Sequence, residues 1–189
     1  MARWEPNARE RLEEAALKLF EEKGFDAITV EQIAARAGLT ERTFFRYFAD
    51  KKEVLFSGSD ELAQFVADSI EAAPAKLSAI EVIGAGLEAI LPHFPTDRAK
   101  VRARRQLIAG SLELREREIS KMTAMATAAT GALQKRGVDP LAARLAAEAG
   151  ITVFKVAYEA FLEDKKRREL VVHVREALEQ LKAVMRGRA

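Results

Sequence analysis

Four hydrogen-bond donors fall close together in one short stretch of this sequence: Thr40, Arg42, Thr43 and Arg46. Hydroxyl and guanidinium groups are the donors that phosphate oxygens and base edges of nucleic acids accept. Such groups need a rigid support, and Phe44 and Phe48 recur at helical spacing among them. The pattern therefore predicts a helix over residues 40–48 with an apolar inner face and a donor-rich outer face. A helical hairpin whose polar face is merely solvated is the alternative that this stretch leaves open.

The stretch just before these donors predicts a second short helix. Its apolar residues recur at helical spacing over residues 29–37: Val30, Ile33, Ala34 and Ala37. Gly38 follows, where a left-handed helix-ending conformation suits glycine, and Thr40 is a good N-cap for the next helix. Two short helices across a tight turn indicate a helix-turn-helix, whose second helix enters a DNA major groove.

The flanks of this motif carry a family resemblance. Residues 13–55, 43 of the 189 residues, resemble the N-terminal domain of the TetR family of bacterial transcriptional regulators. The matching positions are Phe20, Gly24, Thr29, Ile33-Ala34, Ala37-Gly38, Phe45 to Phe48 and Lys51. The chain departs from the family pattern at Phe45, where a tyrosine is usual, so a hydroxyl contact to DNA is lost there.

The resemblance implies double-stranded operator DNA as a partner and assigns contacts residue by residue. Four positions match phosphate-contacting positions of the family: Thr40, Thr43, Tyr47 and Lys51. Glu41, Arg42 and Phe45 match positions that face bases, and Thr29 caps the first helix of the motif at a further phosphate. Arg46 completes the set of DNA-binding candidates through its donor chemistry.

Composition limits the function classes. The chain has 189 residues, 49% of them apolar, which is enough for a core. It has no cysteine, which rules out disulfides, thiolate nucleophiles and Cys-ligated metals. No apolar run has the length needed to span a bilayer and the N-terminus lacks a signal-peptide core, so we expect no membrane partner and a cytoplasmic location.

The charge of the N-terminal part weighs against indiscriminate DNA binding. Residues 1–56 contain ten Lys and Arg against eleven Asp and Glu, a net charge of −1. Phosphate attraction drives non-specific binding, so specific binding would rest on a local positive face. The candidates for that face are Arg36, Arg42, Arg46, Lys51 and Lys52. The acidic balance keeps a second function class open, a helical protein–protein interaction module that does not bind DNA.

The rest of the chain is helical in pattern, which gives an all-α fold of about nine helices. We predict a three-helix helix-turn-helix domain over residues 1–52 and a larger helical effector-binding and dimerisation domain over residues 53–189. A fourth helix is predicted from Asp50 to just before Pro74, with Gly58 as a point of bending. The remaining five are predicted over residues 77–91, 96–109, 111–135, 140–163 and 168–186.

The last two predicted helices, the eighth and ninth, are apolar on more than one side. The whole of that surface could be internal core, or one face of each helix could meet its symmetry mate in a four-helix bundle. Gly150 and Ala157 are candidates for close approach between subunits. TetR-like proteins dimerise through their last two long helices, so the resemblance implies a homodimer through the eighth and ninth helices.

A large helical domain beside a DNA-binding motif suggests a small-molecule site. The candidate lining is mostly apolar: Leu87, Ile90, Leu91, Phe94, Arg105, Ile108, Met122, Met125 and Phe154. Such residues at helical spacing are also what plain core packing requires. The predicted effector is a largely apolar molecule, and Arg102 or Arg105 would meet any acidic end.

Nothing in the sequence indicates an enzyme. His93 and His173 are the only histidines, and neither has an acid and a nucleophile near it in a triad pattern. Two distant histidines without cysteine give no metal-ligand spacing, and no glycine-rich phosphate loop is present, so no cofactor is predicted. Together with the resemblance, the sequence predicts a dimeric, ligand-responsive repressor that binds a palindromic operator and is released by its effector. Activation of transcription is the alternative that the sequence leaves open.

Overall fold

The computed structural model describes residues 7–95 and 97–187, and over those ranges its regular secondary structure is entirely helical. The α-helices are α1 Ala8–Lys23, α2 Val30–Arg36, α3 Glu41–Tyr47, α4 Glu53–Phe56, α5 Ser59–Ala72, α6 Ala79–Ile90, α7 Arg98–Gly110, α8 Leu112–Lys135, α9 Pro140–Glu163 and α10 Leu170–Met185, with a 3₁₀ turn at Leu91–His93. The predicted all-α fold is confirmed. Thr96, which begins the predicted sixth helix, lies outside the described residues.

The chain packs as two compact units. The N-terminal unit is formed within Met1–Ser57 and Ala99–Ile119, and the C-terminal unit within Gly58–Arg98 and Ser120–Ala189. Residues 53–57 and 99–119 therefore pack with the helix-turn-helix rather than with the rest of the later helices. The functional boundary after residue 52 stays a prediction, because packing alone does not decide which residues bind DNA or effector.

The N-terminal unit has its own apolar core. α1 contributes the fully buried Leu12, Ala16 and Phe20, at the spacing of one helical face. Ile33 of α2 and Phe44 of α3 are also fully buried in this cluster. Burial of this apolar face, rather than intrinsic helix propensity, stabilises α2 and α3, because isolated helices of seven residues are marginal in water.

The prediction of one continuous fourth helix is wrong, because two helices occupy this stretch. α4 ends at Phe56, and α5 begins at Ser59 after Gly58 adopts a left-handed conformation with φ of +79°. Ser57 is extended at ψ of 134°, so the intrahelical hydrogen bonds cannot continue through it. The sequence indicated only a bend, because an isolated glycine inside an apolar helical pattern does not reveal its backbone conformation.

The C-terminal unit packs α5, α6, the second half of α8, α9 and α10 around a second core, with Ile70, Ile90 and Leu133 fully buried. A side-chain carbon added at Gly150 would lie 2.5 Å from Ile83 Cγ2, so this glycine lets α9 approach α6 closely. Ala157 is also completely buried in this core. The expectation that Gly150 and Ala157 face another subunit is therefore wrong, since both face the interior of their own unit.

A polar cluster closes the turn between α9 and α10. Asp164 accepts hydrogen bonds from the backbone N–H groups of Lys166 and Arg168, and from the Arg168 guanidinium at 3.0 Å. Burial by itself would raise the pKa of Asp164, but these donors hold that pKa well below its ordinary value. No helix among the described residues has the length and apolar character that crossing a membrane requires.

Candidate functional site

The turn between α2 and α3 is fixed by its backbone. Gly38 takes the left-handed conformation, with φ of +65°. Its N–H donates to the carbonyl of Ala35 at 3.0 Å, and the N–H of Leu39 donates to the carbonyl of Ala34 at 2.8 Å. This pair of bonds is the Schellman motif, which satisfies the last carbonyls of α2 and turns the chain toward α3. The predicted helix-turn-helix is present.

Threonine hydroxyls begin both helices of the motif. Thr29 Oγ1 accepts the N–H of Gln32 at 3.3 Å, and the Gln32 amide oxygen accepts the N–H of Thr29 at 3.0 Å, which is a capping box. Thr40 Oγ1 accepts the N–H of Thr43 at 3.2 Å and lies 3.0 Å from Thr43 Oγ1. Thr29 and Thr40 are both exposed, so their hydroxyls are held at positions that an anion in solution can reach.

The orientation of α3 follows from its aromatic residues. Phe44 is fully buried and Phe48 nearly so, with ring centroids 5.3 Å apart, and together they hold one side of α3 against the core. The opposite side is exposed and carries Glu41, Arg42, Phe45 and Arg46. The structure thus brings the sequence-predicted base-facing residues to one outward surface, as the 3.6-residue period requires.

Arg46 and Tyr47 form a local pair at the end of α3. Arg46 Nη2 donates to Tyr47 Oη at 3.1 Å, and the guanidinium carbon lies 4.9 Å from the centre of the tyrosine ring. Stacking of this kind restricts the rotamers of a long side chain. Both donors are therefore ordered on the outer surface before any ligand arrives.

Lys51 has a structural role that the sequence did not reveal. Its Nζ donates to the carbonyls of Phe25 and Ile28, both at 2.9 Å, and lies 4.3 Å from the centre of the Phe25 ring. A third carbonyl, that of Asp26, lies at 3.4 Å. These bonds fix the loop between α1 and α2. A phosphate contact by Lys51 stays a prediction, whereas its hydrogen bonds to the loop carbonyls of Phe25 and Ile28 are present in the structure.

Replacing Lys51 with methionine is expected to lower the free energy of unfolding by about 1–3 kcal/mol, because two partly buried carbonyls lose a charged donor. Urea denaturation measures the change. Lys76→Met, at an exposed position of the C-terminal unit, is the matched control and should change stability by less than about 0.5 kcal/mol. Equal stability of the Lys51 variant and the parent would show that the carbonyls do not need this donor.

The positive surface of the motif is smaller than predicted. Arg36 pairs with Glu22 through two hydrogen bonds of 2.9 and 3.3 Å, and this pairing holds the pKa of Glu22 below its ordinary value. Lys52 contacts Asp50 at 2.8 Å and Glu113 at 3.0 Å, and those carboxylates raise the pKa of Lys52. Arg42 and Arg46 therefore carry the positive charge that faces outward from α3.

A network of arginines holds α4 in the N-terminal unit. Arg117 of α8 binds Glu53 through two hydrogen bonds of 2.7 and 3.0 Å. Arg104 of α7 donates to the carbonyl of Leu55 at 3.1 Å and pairs with Glu118 at 3.2 Å. Both guanidinium carbons lie 5.2 Å from the centre of the Phe56 ring. No local pattern in the sequence indicates these contacts, because the two members of each pair are far apart in the chain.

The predicted effector-lining residues separate into two groups. Seven of them belong to the apolar cluster of the C-terminal unit: Leu87, Ile90, Leu91, Phe94, Met122, Met125 and Phe154. Ile108 instead lies in the core of the N-terminal unit, and Arg105 is an exposed residue of that unit. Leu91, Phe94 and Met122 are half-buried, so they are the members of the first group that solvent still reaches.

An aromatic row runs along the same cluster, formed by Phe94, Phe154, Tyr158 and Phe161. Phe154 and Tyr158 stack with ring centroids 5.4 Å apart, and Phe94 lies 4.9 Å from Phe154. Tyr158 continues the row to Phe161 at 6.1 Å. Tyr158 and Phe161 were not among the predicted lining residues, although their spacing of four and seven residues from Phe154 places them on its helical face.

The two histidines have separate structural environments. His173 is buried, with Nε2 3.3 Å from Asp164 Oδ2, and its ring packs against Phe161. The exposed ring of His93 lies 5.0 Å from that of Phe65. Over residues 7–95 and 97–187 no group of three or more His, Cys, Asp or Glu side chains is arranged to hold a metal ion.

Known proteins match both parts of the chain. The model for the tetR family of bacterial regulatory proteins matches residues 12–57, and a model of the MftR C-terminal domain matches residues 77–186. The HTH-type transcriptional regulator TcmR of Streptomyces glaucescens is 34% identical over 83 residues, which is 44% of this chain and 37% of TcmR. The regulator SAB2452 of Staphylococcus aureus is 42% identical over 48 residues, 25% of this chain and 26% of that protein. The matched regions thus span well under half the length of these relatives.

Solved structures resemble the fold over almost the whole chain. The regulator FadR of Bacillus subtilis, in complex with stearoyl-CoA, has a TM-score of 0.59 at 21% identity, covering 91% of this chain and 96% of FadR. FadR of Thermus thermophilus, a repressor in complex with lauroyl-CoA, has a TM-score of 0.54 at 19% identity, covering 92% and 93%. The SmeT–triclosan complex has a TM-score of 0.57 at 20% identity, covering 92% and 90%.

The two family models together account for the helix-turn-helix and for most of the helices that follow it. The second model alone matches more than half of the chain. These matches support a role in transcription regulation through a DNA-binding motif, and not in catalysis. The chain belongs to the TetR family of bacterial transcriptional regulators.

Proposed function

We propose that the protein is a ligand-responsive repressor that binds a palindromic operator as a homodimer and leaves it when a largely apolar effector binds. The observation that carries the proposal is the outer face of α3. It presents Arg42 free of hydrogen bonds and ion pairs with the described residues, while Phe44 and Phe48 anchor the opposite face in the core. Exposed guanidinium donors without a partner among the described residues suit the phosphates and base edges of DNA.

The proposed DNA contacts divide by chemistry. Thr29, Thr40, Thr43, Tyr47 and Lys51 would contact phosphates, and they fix the register of the protein on the duplex. Glu41, Arg42 and Phe45 would face base edges in the major groove, with Arg46 beside them. The capped ends of α2 and α3, with their exposed threonine hydroxyls, support the first group.

The proposed dimer uses α9 and α10, the predicted eighth and ninth helices. Five large apolar side chains on these helices are between 54% and 72% exposed: Leu141, Leu145, Val156, Val184 and Met185. The three on α9 fall on one face of that helix, because their separations of four and eleven residues are close to whole turns. A second copy is the proposed occupant, since a two-fold axis places identical apolar faces together.

The proposed effector site is the aromatic row with the half-buried Leu91 and Met122 beside it. Aromatic and methionine side chains make adaptable apolar walls for organic molecules. The FadR and SmeT complexes contain acyl-CoA esters and triclosan. Similar compounds are therefore the first to screen, together with fatty acids and aromatic drugs. An effector releases DNA only through its greater affinity for the conformation that does not bind the operator.

Replacing Tyr158 with alanine is expected to weaken effector binding by about three- to tenfold. The ring is half-buried, so an effector would cover about half of a side chain whose full burial is worth roughly 1.5–3 kcal/mol. The measurements are the ligand-induced rise in melting temperature and the effector concentration that releases operator DNA. Phe65→Ala, which removes a 40% exposed ring of the same unit, is the matched control and should respond like the parent. An unchanged response of the Tyr158 variant would place the site elsewhere.

A further inference from the structure

Phe45 is an exposed aromatic side chain on the outer face of α3. It is 55% exposed, whereas its neighbour Phe44 is fully buried. Its ring is the one large apolar group on an outer face of α3 whose other exposed side chains are charged. Arg42, one turn earlier on the helix, and Arg46 are exposed on the same side. The ring therefore lies among the residues proposed to meet the bases.

The ring has a defined orientation. The centroids of Phe45 and Phe44 lie 5.6 Å apart with planes at 83°, which is the edge-to-face geometry that aromatic pairs favour. Phe44 is immobilised in the core, and phenylalanine has only two side-chain torsions. Phe45 can therefore be buried against DNA at a small cost in conformational entropy compared with a long flexible side chain.

The chemistry of the ring selects its target. Phenylalanine has no hydrogen-bond donor or acceptor, so it cannot read the polar pattern of a base edge. Thymine alone among the four bases presents an apolar group in the major groove, its C5-methyl. We infer that Phe45 reads the C5-methyl of a thymine in each operator half-site. This inference rests on the proposed function, since it requires α3 to enter the major groove.

The test removes the methyl group and leaves base pairing intact. An operator is first selected from random duplex DNA with the full-length protein, and each thymine is then replaced by uracil, one symmetric pair at a time. At one such pair the parent should bind about fourfold more weakly per half-site, because one methyl group is no longer buried. The Phe45→Ala protein should bind the thymine and uracil versions of that operator equally.

Two further variants make the test specific. Phe45→Tyr keeps the ring and should keep the sensitivity to the methyl group. Phe65→Ala removes an exposed ring of the C-terminal unit and should also keep it. Melting temperatures check that all three variants are folded.

The outcomes separate this inference from the proposed function. If the protein selects an operator but the parent and Phe45→Ala respond alike to every uracil substitution, the inference is wrong and the proposed function stands. If the selected operator has no thymine in its half-sites, the inference about Phe45 is likewise wrong and the proposed function stands. If no sequence is selected, both are overturned.

Discussion

Leu145→Glu is expected to convert the protein to a monomer and to lower its affinity for a palindromic operator by about 10²–10⁴-fold. This factor is the increase in affinity that two linked binding modules have over a single module. Leu145 is 63% exposed on α9, so the substitution leaves the core of the subunit intact. In the proposed dimer the new carboxylate would be buried without a partner. The two-fold axis would also place the same carboxylate of the other subunit at this interface, and the two negative charges would repel each other. Sedimentation and fluorescence anisotropy measure the two effects.

Leu112→Glu is the matched control for this experiment. Leu112 is also 63% exposed, but it lies at the start of α8 in the N-terminal unit and belongs to neither α9 nor α10. The same substitution there should leave the sedimentation coefficient unchanged. Helical circular dichroism should be unchanged in both variants. A Leu145→Glu protein that remains a dimer would show that α9 does not form the interface.

Arg42→Ala is expected to weaken binding to the preferred operator by roughly 1–3 kcal/mol and to relax base preference at one position of each half-site. Arg42 is exposed on α3 and makes no hydrogen bond or ion pair with the described residues. Its guanidinium can therefore bind a base edge without first breaking a contact within the protein. Affinity for the preferred and for scrambled duplexes, at one fixed salt concentration, measures the change in specificity.

Arg36→Ala is the matched control for Arg42. Arg36 is also an exposed arginine of the motif, but its guanidinium is bound by Glu22 through two hydrogen bonds. Its removal should weaken binding less, and by a similar factor on all sequences. If Arg42→Ala bound preferred and scrambled DNA with the same ratio as the parent, the assignment of α3 as the recognition helix would be wrong.

The helix-turn-helix could be predicted from the sequence because its determinants are local. Thr29 and Thr40 are helix caps that bond residues three positions ahead, and Gly38 ends α2 within its own turn. Signals of this kind lie within a few residues of the structure they create. The outward direction of Arg42 and Phe45 followed from helical periodicity once the buried phenylalanines were identified.

Other features could not be predicted because they depend on contacts between distant segments. Glu53 and Arg117 are 64 residues apart, so no local pattern indicates that the start of α8 packs with the helix-turn-helix. Lys51 looks like a free surface cation until the loop carbonyls that it binds are located. On α9, an apolar pattern on several sides does not show which side faces the core, and this explains the error at Gly150 and Ala157.

The most direct test of operator binding by α3 is selection of binding sites from random double-stranded DNA, followed by titration of the selected and scrambled duplexes. We expect a palindrome whose half-sites are separated by about one helical turn, 10–10.5 base pairs between centres. Its affinity should exceed that for scrambled DNA by about 10³-fold or more. No enrichment, or equal binding of both duplexes, would contradict operator recognition by this protein and favour a helical interaction module that does not bind DNA.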